Sequence, residues 1–201
     1  MTLSDGIKLA GMPAEISGAI RDDLPDLFKE LGFKVGVEIG VGDGTFSEKL
    51  CKVGLKMYSV DPYLAYPEYT ARSTQAEFDS LYERAREKLS PYDCTLIKKT
   101  SMDAVKDFKD GSIDFVYIDG HHGFKFVTED ICEWSKKVKK DGIISGHDYY
   151  FASAKNGYIC QVKEAVITYT RTMHIGNWFV VGGGGSERRD KFRSYFWFNK
   201  W

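Results

Sequence analysis

From residue 34 onward, short runs rich in β-branched and aromatic residues alternate with longer stretches whose apolar positions recur every three or four residues. The short runs predict strands and the longer ones amphipathic helices. Lys34–Ile39 is a β-rich run ending in glycines, and a helix over Thr45–Lys52 follows. Lys56–Val60 is a second strand closed by Asp61-Pro62, and a polar, aromatic connection over 63–74 leads to an amphipathic helix, Gln75–Leu89. Cys94–Lys98 is a third strand and Met102–Phe108 a short helix. Ile113–Ile118 is a continuous apolar run bounded by Gly111 and Asp119, the pattern of a strand buried on both faces. Phe124–Lys140 places Val127, Ile131, Trp134 and Val138 on one helical face. Asp141-Gly142 is expected to stop that helix before a fifth strand at Ile143–Ser145.

Strands alternating with helices at this spacing imply βαβ units, because parallel neighbours need a long crossover. The last third differs: a helix over Val162–Thr172 precedes two aromatic-rich runs, Asn177–Val181 and Ser194–Phe198, close enough to pair as an antiparallel hairpin. The expected fold is therefore α/β, a doubly wound Rossmann-like sheet of five parallel strands plus a C-terminal antiparallel hairpin, with helices on both faces. Residues 14–31 carry Ile16, Ile20, Leu24, Leu27 and Leu31 at helical spacing, interrupted by Pro25, and read as one or two short helices. The organisation so predicted is a single domain over 1–201, with a helical extension at 1–33 and a core at 34–201.

Composition changes this picture little. At 201 residues, 43% hydrophobic and 28% charged, the chain is an ordinary globular one, and its formal net charge of −1 asks for neither nucleic acid nor an anionic membrane. No apolar run spans a bilayer, and the first residues lack a secretory signal. Cys51, Cys94, Cys132 and Cys160 are scattered, as free thiols in a reducing compartment would be. A cytoplasmic location is the expectation.

The chemistry concentrates at strand ends. Glu38-Ile39-Gly40-Val41-Gly42-Asp43-Gly44 follows the first strand and opens a helix. Glycines there let the backbone approach a ligand, and the helix start presents N–H groups to an anion. Asp61, at the end of the second strand, is an acceptor-only group suited to a ribose diol. The plain alternative is a strand-end cap. A dinucleotide fingerprint would want Gly or Ala where Thr45 stands.

Val37–Thr45 followed by Val60-Asp61-Pro62 resembles the first two motifs of class I S-adenosylmethionine-dependent methyltransferases, and the resemblance runs over residues 34–150. It implies S-adenosylmethionine as cofactor, with Gly40 and Gly42 at its methionine end, Asp61 at the ribose, and Ser101 and Met102 near the adenine. The implied set is completed by Glu38, Gly44 and Asp119.

Two further strand ends read Asp119-Gly120-His121-His122 and Ser145-Gly146-His147-Asp148. Such a rim is similar to that of small-molecule O-methyltransferases, the catechol O-methyltransferase group among them, where acidic residues at these places hold a divalent ion. Carried over, Asp119, His147 and Asp148 are the candidate metal ligands, with His147 standing where the family usually has a carboxylate. That change favours Mn²⁺ and similar ions over Mg²⁺. A metal-free alternative makes His122 or His147 the general base. The sequence thus points to methyl transfer onto a small-molecule acceptor, a hydroxyl oxygen by preference, with or without a metal. An aminopropyl transferase on the same fold and a non-catalytic cofactor-binding subunit are the rival readings.

Weaker signals remain. Tyr63, Tyr66, Pro67 and Tyr69 suggest an aromatic lid or plain edge packing, and Tyr149, Tyr150 and Phe151 suggest acceptor contact. Arg188-Arg189-Asp190-Lys191-Phe192-Arg193 reads as a solvated hairpin tip, and aromatics of the final strand allow a homodimer edge.

Overall fold

The computed structural model describes residues 2–65, 74–150, 160–182 and 192–201. Eight strands form one sheet: β1 (Ala14–Ile16), β2 (Val35–Ile39), β3 (Lys56–Val60), β4 (Cys94–Ile97), β5 (Ile113–Ile118), β6 (Val138–Gly146), β7 (Phe179–Val181) and β8 (Ser194–Phe198). Their spatial order is β1-β7-β8-β6-β5-β2-β3-β4. Strands β4-β3-β2-β5-β6 are the five expected parallel units. Strand β8 alone runs the other way, pairing antiparallel with both β6 and β7. The aromatic hairpin is therefore present, and its second strand is wedged inside the sheet.

The helices are α1 (Leu3–Gly6), α2 (Leu24–Glu30), α3 (Thr45–Lys52), α4 (Gln75–Leu89), α5 (Ser101–Ala104), α6 (Phe124–Lys137) and α7 (Val162–Thr172). They divide between the faces because strand side chains alternate. On β5, Val116 and Ile118 join one core with Val127, Ile131 and Trp134 of α6 and Val166 of α7. Phe115 and Tyr117 join the other with Phe28 of α2 and Phe46 and Leu50 of α3. All six β5 residues are buried, as the apolar run predicts.

Three expectations need correction. Residues 14–31 are not wholly helical: Ala14–Ile16 is an edge strand pairing in parallel with β7, followed by a 3-10 turn at Arg21–Asp23 and then α2. A three-residue strand is too short to show its own periodicity, and a partner near residue 180 decides it. Helix α6 ends at Lys137 rather than Lys140. The buried Asn199 donates its amide hydrogens to the carbonyls of Ser135 (3.1 Å) and Val138 (2.8 Å), and Val138 already pairs with Ile113. Asp141-Gly142 instead lies within β6, where the register against β5 shifts and Asp141 takes φ 63°. Lastly, Tyr195, Phe196 and Trp197 are buried, because β8 has a neighbour on each side. The final strand offers no dimer edge.

Candidate active site

Each site residue sits where a ladder runs out. The N–H of Gly40 still donates to Val60 O (2.9 Å), that of Asp61 to Ile97 O (3.1 Å), that of Asp119 to Ile39 O (2.7 Å), and that of His147 to Ile118 O (3.0 Å). Neighbouring strands thus fix four positions on one rim, the carboxyl edge where open α/β sheets bind ligands.

A cleft of about 740 Å³ opens on this rim. Glu38, Gly40, Gly42, Asp61, Ser101, Met102 and Asp119 all line it. Gly40 has φ 84°, and a Cβ there would lie 2.1 Å from Asp119 O, so two loops touch through the missing side chain. Gly42 (φ 55°) would place a Cβ in open space. Gly44 does not line the cleft: it N-caps α3, and a Cβ on it would lie 3.2 Å from Leu89 Cδ1 and 3.3 Å from Ala85 Cα of α4.

Asp61 is committed first to the loop. It accepts backbone N–H groups from Val41 (3.0 Å), Gly42 (3.2 Å) and Tyr63 (2.8 Å). Burial lifts its carboxyl above the usual range, and those three bonds oppose the rise. Tyr63 is fully buried, lies edge-on to Tyr82, and donates its hydroxyl to Gly42 O at 3.0 Å. It braces the loop and is no lid; Tyr66, Pro67 and Tyr69 lie outside the described residues, as do Phe151 and the run 188–191. Glu38 is buried beneath the loop and accepts the Ser47 hydroxyl, and burial pushes its carboxyl up to about 8.

Asp119, which lines the cleft, and His122 and Asp148, which do not, each offer one ligand atom, all within 4.8 Å of one another. His122 Nε2 lies 3.0 Å from Asp148 and 3.7 Å from Asp119. Burial would lower the His122 pKa, but hydrogen bonds to the two carboxylates outweigh it and raise it to about 9. Asp148 is buried too, yet His122 and His147 hold it well below the usual carboxylate range. It adopts φ 57°, a strained backbone that directs its carboxylate into the cluster. His147 Nδ1 is 3.5 Å from Asp148 and 3.7 Å from Asp119, beside the trio rather than in it. The histidine that completes the compact ligand set is thus His122, where the sequence pattern favours His147.

The sequence profile of the family described as "Methyltransferase domain" matches residues 37–149, more than half of the chain and all of this rim. The chain belongs to that methyltransferase family. No curated protein sequence matches it. Among solved structures, the methyltransferase resembles the O-methyltransferase TomG from Streptomyces achromogenes in complex with SAM (11% identity, 89% of this chain and 78% of that one, TM-score 0.64). It also resembles an O-methyltransferase from Bacillus cereus in complex with SAH (13% identity, 87% and 78%, TM-score 0.61). A third is an rRNA methylase from Streptococcus thermophilus (14% identity, 89% and 95%, TM-score 0.59). At these identities the likeness is one of fold, and the class I architecture is what the methyltransferase shares with all three.

Two cleft residues of this methyltransferase escape sequence reasoning. Arg21, from the N-terminal segment, lies over the Phe46 ring at 5.2 Å and reaches Asp119 at 3.4 Å. Nothing local marks it. Asp130 on α6 is buried and accepts the Ser101 hydroxyl. Its signal is legible afterwards: it falls three residues after Val127 and four before Trp134, on the apolar stripe. Conversely, Tyr149 packs against Trp178 and Tyr195 in the core and does not line this cleft.

Among the described residues no helix is long and apolar enough to cross a membrane. All four cysteines are free.

Proposed function

We propose that this protein transfers the methyl group of S-adenosylmethionine to a hydroxyl oxygen of a small-molecule acceptor, using its 201 residues as one catalytic unit. The observation that carries the reading is the Asp119–His122–Asp148 cluster, which meets the glycine-lined cleft through Asp119. The B. cereus and S. achromogenes O-methyltransferases, with SAH and SAM respectively, support the cofactor. The rRNA methylase neighbour makes plain that fold does not choose the acceptor, so the rim's chemistry must.

In this reading the Glu38–Gly44 loop and Arg21 receive the charged methionine end. Asp61 has about one acceptor position left after its three backbone bonds and takes a ribose hydroxyl. Two carboxylates and an imidazole fit a divalent cation of the Mn²⁺ type, and the raised pKa of His122 reflects the same demand for positive charge. Asp119, His122 and Asp148 would hold the ion, which supplies Lewis acidity that favours ionisation of an acceptor hydroxyl. His147, beside the cluster, takes the hydroxyl proton. The acceptor oxygen then forms its bond to the methyl carbon as the C–S bond breaks, and sulfur keeps the electron pair.

Calorimetry with S-adenosylhomocysteine and methyl transfer to a panel of catechols, each with and without chelator, tests the reading. Asp61→Ala should weaken cofactor binding about tenfold or more through loss of an ionised acceptor and its loop contacts. Chelation or Asp148→Ala should abolish transfer with cofactor affinity kept within about threefold, under ~1 kcal/mol. Absence of cofactor binding by the wild-type chain refutes the proposal. Transfer untouched by chelation removes the metal and leaves His147 as the base.

A further inference from the structure

The cleft's lining combines charged residues, Arg21, Glu38 and Asp119 among them, with the apolar Phe78, Leu81, Met102 and Phe126. Of its carboxyls, Asp130 on α6 is buried, only 4% exposed. Its Oδ1 accepts the hydroxyl proton of Ser101. Ser101 Oγ in turn accepts the indole N–H of Trp134 at 2.8 Å. A serine hydroxyl has a single proton, so Ser101 has none left for a ligand. The second oxygen of Asp130 takes no hydrogen bond among the described residues and is aimed towards Gly120 on the cleft wall, where a Cβ would stand 4.0 Å from it.

We propose that Asp130 Oδ2 is the specificity determinant for the base of the nucleoside, accepting one N–H of a purine 6-amino group, with Ser101 and Trp134 as the residues that position it. This rests on the S-adenosylmethionine reading above and assigns the adenine contact to α6 rather than to the Ser101 side chain. The physical reason is asymmetry of cost. A buried acceptor facing an amine gains a hydrogen bond, whereas a 6-oxo purine would face it with another acceptor and leave both unpaired. Sites built on such a group reject the mismatched analogue far more strongly than an apolar wall can.

The test is calorimetric titration of the full chain, at about pH 8 where the Asp130 carboxyl is ionised and accepts only, with S-adenosylhomocysteine and with its deaminated, inosine-containing analogue. Wild type, Asp130→Asn and Ser101→Ala are compared, with folding checked by circular dichroism. Wild type should prefer the amino compound by more than about tenfold. Asp130→Asn, whose amide presents a donor as well as an acceptor, should narrow that preference to under about threefold. Ser101→Ala should weaken both ligands together and keep the preference. A wild-type preference below about threefold, or an unchanged one in folded Asp130→Asn, overturns the inference and leaves the methyltransferase reading intact. Loss of preference in Ser101→Ala alone gives the role to Ser101 and also overturns it. Failure of wild type to bind either compound refutes the cofactor reading and this inference together.

Discussion

Gly40 and Gly42 look alike in the sequence but act differently. Both have positive φ, but only at Gly40 would a Cβ meet backbone, 2.1 Å from Asp119 O. Gly40→Ala should therefore cost about 2 kcal/mol or more in urea unfolding, since left-handed strain and a clash add. Gly42→Ala should cost only about 1 kcal/mol of strain, and its effect should fall mainly on cofactor affinity. Asp130 makes a prediction in pH. Burial raises its carboxyl from 3.8 to about 7, so between those values the folded protein keeps a proton that the unfolded chain has lost. Stability contributed by that proton is complete at low pH and declines as pH rises, by up to roughly 1.4 kcal/mol per pH unit. Above about 7 both states are ionised and the slope ends. Asp130→Asn should flatten this decline, so urea midpoints at about pH 5 and about pH 8 should lie closer together than in wild type. Glu38, raised by burial to about 8, leaves a residual slope of the same sign in the variant.

At the scale of elements, periodicity locates the central βα units because each has a face buried within the sheet sandwich. Helices α3, α4 and α7 and strands β3, β5 and β8 have the ends that their apolar patterns give. Misreadings occur where a distant group decides. Helix α6 stops early where Val138 joins β6 and Asn199, beyond β8, takes the carbonyls of Ser135 and Val138. Asn199→Ala should accordingly cost about 2 kcal/mol, the penalty of leaving buried carbonyls unpaired. Thermal melts compared with Lys200→Ala, a control at the exposed neighbouring position, would isolate that effect from chain-end fraying. Strand β1 is likewise decided by its partner β7, not by its own three residues.

At the scale of the molecule, the rim is a convergence of segments far apart in the chain. Arg21 reaches Asp119, Asp119 faces His122, and both approach Asp148. A ligand set drawn from the ends of β5 and β6 exists only in the folded state, so an ion bound there must stabilise that state by linkage. Mn²⁺ at about a hundred times its Kd should add about 2.7 kcal/mol, seen as a rise in Tm. His122→Ala and Asp148→Ala should each erase that rise. A shift of equal size in both variants would remove the ion from this cluster.

The glycine loop, Asp61, and the His/Asp-rich strand ends are legible in the sequence because class I folds place short, local motifs at the ends of strands, and periodicity identifies those strands. What each group does was less accessible. Asp61 spends most of its acceptor capacity on the loop, Gly44 packs against α4, and Tyr63 braces Gly42. His122 rather than His147 completes the compact trio, although both histidines stand at equally suggestive positions in the chain. Arg21 and Asp130 enter the cleft from elements whose sequences carry apolar or irregular patterns. Strand ends are determined by local pattern and can be read directly. Hydrogen-bond partners, orientation and burial are set by which elements the sheet brings together, and only the tertiary structure decides them.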